Sequence, residues 1–340
     1  MNRIKNRSDG APAFRALVLL LALLLALSLA ACTKSAEPVS PAGPAGGEEP
    51  IPAAPSDEDV LKAFLEGTVT ATARTNFSGA DEWTPGTACS VREFGEAVGS
   101  YVEAELGGYE AFDVSYAYID CGNDGVPELA LRYDYHKGEL WGDVTETFAV
   151  KVLDGAPVIL DGFESFYRVT GEINACGAVT RGGSSGAMYY DTDHWLYDAD
   201  GNRVFLYSES LTFGQSEPFI SPFKIPDELL PDGYPEDSWE YSEGTSYTTV
   251  AYNFNEYFYD EENYAKQYNR YLRENFFTFL DDQGNYAAPS EAYKTLYTKL
   301  GLPCYDAETA EKLVADHCSA LGATAAILNA PAVSWTEWDE

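Results

Sequence analysis

The apolar residues of this chain change their spacing several times, and each change predicts an element. After Ser56, the residues Val60, Phe64 and Leu65 share one helical face, and Gly67 ends the run, so a short helix is expected there. Ser90 and Glu93 form a capping box. Val91, Phe94, Val98, Tyr101, Val102 and Leu106 then recur at helical spacing until Gly107-Gly108 stops the helix.

The period next falls to two. Phe112, Val114, Tyr116 and Tyr118 alternate with other residues, as do Leu129, Leu131, Tyr133 and Tyr135, and then Phe148, Val150 and Val152. Asp154-Gly155 is a hairpin signal, and residues 158–160 run to a second one at Asp161-Gly162. Shorter strands are predicted over 166–170, 175–180, 188–190, 195–197 and 204–207, with Asp200-Gly201 joining the last two. Successive strands with tight turns imply an antiparallel meander.

Residues 213–244 are rich in Pro, Gly and acids and read as a long connection. Tyr264, Tyr268, Tyr271, Leu272 and Phe276 then mark one helix face. Ser290 caps a second helix carrying Tyr293, Leu296, Tyr297 and Leu300. Asp306 opens a third with Ala310, Leu313, Val314, His317 and Leu321, closed by Gly322. Residues 323–340 read as a loose tail whose Trp335 and Trp338 can dock back. The predicted fold is α+β: an N-terminal amphipathic helix, an antiparallel β-meander and C-terminal helices. The helix and meander occupy 58–212, the connection 213–244, the helical region packing on the sheet 245–322, and the tail 323–340.

The first residues follow another logic. Arg3, Lys5, Arg7 and Arg15 precede a stretch of about fifteen residues, 16–30, made almost entirely of Leu, Ala and Val. That run is short for a membrane span and suits a signal h-region. Leu29-Ala30-Ala31-Cys32 completes a lipobox, and the segment resembles bacterial lipoprotein signals. The resemblance implies that residues 1–31 are removed and that Cys32 is lipidated and becomes the new N-terminus. Several acyl chains, at about 0.8 kcal/mol per buried methylene, make a lasting anchor. Residues 32–57 hold the lipidated Cys and a spacer rich in Pro, Ala and Gly, which buries too little apolar surface to fold. The expected location is the extracellular face of the cell membrane, and the membrane is a partner through that lipid.

Composition narrows the rest. The formal net charge is −34, and loss of residues 1–31 brings it near −37. Such a balance argues against nucleic acid and against an electrostatic grip on anionic lipid. Five cysteines remain besides Cys32, so at least one thiol is free in any disulfide scheme. Cys304 and Cys318 are neighbours in sequence, but a helix between them would hold their Cα atoms roughly 18 Å apart, beyond the reach of about 7 Å that a bridge allows. There is no CxxC and no Cys/His cluster of zinc spacing.

Between the first two strands lies Asp120-Cys121-Gly122-Asn123-Asp124-Gly125-Val126-Pro127-Glu128. Acids stand at loop positions 1, 5 and 9, with Gly at 6, which suits a hard cation held in a tight loop. Residues 116–131 resemble the strand–loop–strand element of integrin-type and other bacterial surface β-domains, whose pattern is DxDGDGxPEL. They also resemble a group of Gram-positive surface lipoproteins in which that element follows an amphipathic helix and opens a meander. The resemblance implies a Ca²⁺ site using Asp120, Asp124 and Glu128, with Asn123 auxiliary. Gly122 stands where an Asp or Asn is expected, and Asn123 where Gly is usual. The alternative reading is a bare turn held by Asx hydrogen bonds, with no ion. The second acidic turn, Asp198-Ala199-Asp200-Gly201-Asn202, lacks an acid at position 9 and reads as a hairpin.

Signals for catalysis are weaker. Gly182-Gly183-Ser184-Ser185-Gly186 fits G-x-S-x-G, but residues 187–197 are aromatic and strand-like, so the segment reads as a flexible hairpin loop. Asp193 and His194 are adjacent and point to opposite faces of a strand. His317 lies on an apolar helix face and reads as core, and His136 sits in a turn. The tyrosines of 241–271 read as core and surface groups. No catalytic residue is assigned. The leading expectation is a non-enzymatic surface lipoprotein that binds or scaffolds an extracellular ligand, with one structural Ca²⁺ as an option. The alternative is a tethered extracellular hydrolase acting on cell-wall or dietary polymer. A solute receptor ranks last because βαβα alternation is absent.

Overall fold

The computed structural model describes residues 54–74, 86–136, 142–186, 189–215, 247–256, 274–281, 283–288, 297–298 and 301–339. The signal segment, Cys32 and nearly all of the spacer lie outside them, as do most of the 213–244 connection, all but the last of the helix-face positions 264–276, and most of the helix expected from Ser290.

Helix α1 (Asp57–Leu65) and helix α2 (Val91–Leu106) both begin at full capping boxes, Ser56 with Asp59 and Ser90 with Glu93. Their buried faces carry Val60, Leu61, Phe64 and Leu65, and Val91, Phe94, Val98 and Val102. Between the helices lie two short strands, β1 (Ala71–Ala73) and β2 (Ala88–Cys89). Ten further strands follow in the described chain: β3 (Ala111–Ile119), β4 (Glu128–His136), β5 (Val144–Leu153), β6 (Ala156–Phe166), β7 (Val169–Ile173), β8 (Ala178–Gly186), β9 (Tyr189–Tyr197), β10 (Arg203–Gln215), β11 (Tyr247–Asn253) and β12 (Phe276–Leu280). Each of these is an antiparallel neighbour of the next. Helix α3 (Ala307–Ala320), helix α4 (Ala325–Leu328) and strand β13 (Thr336–Glu337) complete the chain.

The meander folds back on itself. Strands β6 and β7 share a single pair, Phe166 with Val169, so the sheet bends sharply there. One core cluster draws Ile119, Ala130, Ala149, Leu160 and Phe163 from β3–β6 and Ile173, Val179, Trp195 and Tyr197 from β7–β9. The two halves therefore face each other, and the Phe163 and Trp195 rings meet edge-on at 5.8 Å. Outside the first half, α1 and α2 close a second cluster over Leu129, Leu131, Tyr133 and Phe148. Outside the second half, Val314 and Cys318 of α3 cover Leu196 and Leu206. The order of layers is helix, sheet, sheet, helix.

This arrangement explains strand β4, whose first four residues are all buried: it has a core on each face. It also explains two buried tyrosine hydroxyls. Tyr133 donates to the Val91 carbonyl at 3.0 Å and Tyr135 to the Gly95 carbonyl at 2.7 Å, so each ring fills the core while its polar tip pins α2 to the sheet.

Several expectations need correction. Asp161-Gly162 is not a turn; β6 runs through it with a bulge opposite Phe148 and Val150. The strand expected over 166–170 straddles the real turn at Tyr167-Arg168. The strands expected at 188–190 and 195–197 are one strand, β9, which the charged pair Asp191 and Asp193 hid. Phe276 belongs to β12, not to a helix. Strand β1 pairs parallel with β6, an exception to the antiparallel rule. Gly182 to Gly186 is not a loop but part of β8, where a Cβ on Gly182 would stand 2.5 Å from Thr192 Oγ1. The glycine is there because the neighbouring strand comes so close.

The tail is not loose. Asn174 Nδ2 donates to the Ile327 carbonyl at 2.8 Å, and Ala175 N–H to the Pro331 carbonyl at 2.9 Å. Strand β13 pairs with β3 through Thr336–Tyr116 and Glu337–Ser115. Trp335 packs on the inner core under the Arg132 guanidinium. Trp338 Nε1 donates to the Leu65 carbonyl at 2.8 Å, so both tryptophans dock back.

Candidate functional site

The acidic loop is the β3–β4 turn, and backbone amides claim most of its carboxylate oxygens. Asp120 Oδ1 accepts from Asp124 N–H at 2.8 Å and Gly125 N–H at 3.0 Å, and its Oδ2 accepts from Gly125 N–H at 3.1 Å. Asp124 Oδ1 accepts from Val126 N–H at 2.8 Å. Glu128 is completely buried. Its Oε2 accepts from Cys121 N–H at 2.7 Å and its Oε1 accepts from Lys151 Nζ. Burial pushes the Glu128 carboxyl up, opposed by Lys151 and the Cys121 amide. Burial would lower Lys151, but the hydrogen bond and charge of Glu128 outweigh it and hold the ammonium.

The glycine at position 122 has a physical cause. Its φ is +75°, and a Cβ there would lie 2.7 Å from the Ala199 backbone nitrogen. The β9–β10 turn presses on the loop, with Asp198 Oδ1 accepting from Asp200 N–H at 3.0 Å and Asn202 N–H at 2.8 Å. Asn123 has φ +58°, and its side-chain oxygen accepts from Cys176 Sγ at 3.9 Å. Ca²⁺ takes six to eight oxygens, roughly 2.3–2.6 Å away. Asp120, Asp124, Glu128 and Asn123 do not converge in that way, and among the described residues no three His, Cys, Asp or Glu side chains form a metal-ligating group.

A different place offers room. A half-open cleft of about 750 Å³ lies between the outer face of the second sheet half and the α3–α4 region. Glu172, Thr180, His194 and Tyr207 line it from the sheet, and Asp316 and Asn329 from the helical side. The His194 ring stacks on Tyr207 at 4.2 Å and 15°, and His194 Nδ1 lies 3.2 Å from Thr180 Oγ1. Burial pushes the imidazole down to about 4, so it is neutral at physiological pH and a weak base. Among the described residues no acid bonds that ring, so the hydroxyl–imidazole contact lacks the third group that orients a triad. The G-x-S-x-G stretch lies in β8 and cannot present a serine on a strand-to-helix turn.

The remaining histidines are also placed. His136 closes β4 between Asp113 Oδ2 at 3.0 Å and Asp143 Oδ2 at 3.1 Å, and those bonds raise its pKa. His317 stacks on Phe254 at 4.0 Å, as a packed group. Cys89, Cys121, Cys176, Cys304 and Cys318 are all unpaired.

One acid escaped the sequence reading. Glu146 on β5 is 7% exposed and lies directly across from Glu164 on β6. Glu164 Oε1 is paired with the Arg181 guanidinium at 2.9 Å. Burial, with the Glu164 charge, pushes Glu146 up to about 8. The signal was present: Glu146 shares parity with Phe148, Val150 and Val152, so it was bound to face a core. Lys151, between Val150 and Val152, carried the same kind of signal on the other face. No protein-family model matches the chain, and neither curated proteins nor solved structures give a match.

Proposed function

We propose that this protein is a lipid-anchored extracellular lipoprotein whose folded part is a binding module, and that the cleft beneath α3 and α4 receives a small neutral or cationic ligand. The cleft carries the proposal: it joins a stacked His194–Tyr207 platform to a rim holding Glu172 and Asp316. Aromatic faces suit planar or sugar-like surfaces, and an acidic rim repels anions. A neutral imidazole without an orienting acid favours binding over hydrolysis. The test is a thermal-shift panel on residues 32–340 with neutral oligosaccharides, polyamines and anionic counterparts. Neutral or cationic compounds should raise the midpoint, and His194→Ala should remove the effect. A response to anions alone, or to none of the panel, would defeat the reading. Anchoring has its own test: Cys32→Ala should move the protein from the membrane to the soluble fraction, and membrane retention would sink it.

The second reading is a tethered hydrolase of cell-wall or dietary polymer. Its support is the Glu146–Glu164 pair, two carboxyl groups in opposed surroundings. Release of reducing ends from a cell-wall polysaccharide, lost in Glu146→Gln, would favour it over the first.

A further inference from the structure

Three acids within nine residues make the β3–β4 loop electrostatically unfavourable unless something balances them. Loops of this pattern use a divalent ion for two tasks: it offsets the charge, and it ties the turn to the strand that follows. Both tasks already have an occupant. Lys151 comes from β5, one position beyond the Leu129–Val150 pair, so the sheet register itself delivers it to Glu128. Its side chain is 9% exposed and that of Glu128 is 0% exposed. Glu128 then links two partners on different elements, the ammonium through Oε1 and the Cys121 amide through Oε2. The loop, β4 and β5 are thereby tied at one carboxylate.

One side of the loop is crowded as well. Gly201 of the β9–β10 turn lies over the lysine stem, where a Cβ would come within 3.2 Å of Lys151 Cδ. Ala199 of the same turn lies against Gly122. That turn leaves no room for a side chain at position 122, the one that could have completed a ligand set, while Asn123 and Asp124 stay exposed on the other side of the loop.

We infer that Lys151 is the resident cation of this loop, an ammonium supplied by the chain in the place that a metal ion holds in loops of this pattern, so that the element is independent of calcium. An ammonium has one charge and three donors, and it needs far fewer oxygens than calcium. The substitution trades a site open to the medium for a covalently held partner, which stays in place whatever the ion content outside the cell.

The test is thermal unfolding of residues 32–340 in calcium and in chelator, with calorimetric titration of calcium. Wild type should melt at the same temperature in both and give no binding heat. Lys151→Met strands a buried carboxylate and should lower the midpoint by roughly 10 °C. Lys151→Met combined with Glu128→Gln should recover at least half of that loss, because no charge is left unpaired. A calcium-dependent rise in the wild type, or a Lys151→Met protein as stable as wild type, overturns the inference. Where Lys151→Met alone fails to fold, the double variant decides: a folded double supports the inference and an unfolded one overturns it. None of these outcomes depends on what the cleft binds.

Discussion

Replacing Glu146 with Gln asks whether folding keeps that carboxyl protonated. In the folded protein Glu146 holds its proton up to about pH 8, against an ordinary value of 4.5. The groups facing it are Tyr133 and Tyr135 on β4, Glu164 on β6 and Arg181 on β8, and the dominant cause is burial. Below pH 4.5 both folded and unfolded states carry the proton, so the contribution to stability is complete. As pH rises the unfolded chain releases the proton first, and the contribution is gone once pH passes the folded value. Each pH unit inside that window is worth about 1.4 kcal/mol, so moving from pH 5 to pH 7 removes about 2–3 kcal/mol. Gln matches the shape of the protonated acid and has nothing to release. Glu146→Gln should therefore lie within about 1 kcal/mol of wild type at pH 5 and be more stable by about 3 kcal/mol at pH 7. In melting temperature that is a gap of about 5–10 °C at pH 7. Urea titrations followed by tryptophan fluorescence at several pH values would measure it. Parallel pH profiles for the two proteins, or a Gln variant weaker at pH 7, would show that the folded state holds an ionised Glu146 and that the burial argument fails.

Gly122→Asp, which restores the expected ligand of the loop pattern, should destabilise by about 1–3 kcal/mol because φ is +75° and Ala199 is in the way; equal urea midpoints would refute this. Tyr135→Phe removes the 2.7 Å bond to the Gly95 carbonyl, which keeps its partner within α2, and should cost about 0.5–1.5 kcal/mol in the same assay. Trp338→Ala should release β13 from β3, lower stability by about 2 kcal/mol and speed hydrogen exchange along the β3 edge. His136 should titrate above 6.5 by NMR, and Asp143→Asn should bring the midpoint back toward that value.

Local chemistry was the legible part of this chain. Ser90 and Glu93 announced α2, and the alternation from Phe112 to Tyr118 announced β3, because a cap and a half-buried strand each write their own signature. Strand β9 was broken in two because Asp191 and Asp193 look like turn residues, although the sheet places Asp193 beside Arg181. The glycines of β8 looked like a loop because the closeness of a neighbouring strand is not written in the residues themselves. The fold-back at β6–β7 was likewise hidden, since a single turn pair decides it. The acidic loop was found from its pattern, but its partner was not. Lys151 lies 23 residues from Glu128, and only the register of β4 on β5 brings them together.

The contact between Trp338 and Leu65 spans 273 residues of chain. A polypeptide is made from its N-terminus, so the outer edge of β3 must wait, unpaired, until Thr336 and Glu337 have been added. Such an edge is a template for any passing strand. The pairing of β13 therefore covers an edge open to aggregation, and removal of residues 336–340 should reduce yield more than it reduces the melting temperature of the molecules that do fold. With α1 and β13 held side by side, the folded body is also suited to circular permutation, in which a link joins β13 to α1 and new ends are cut in an exposed turn such as Asp154-Gly155.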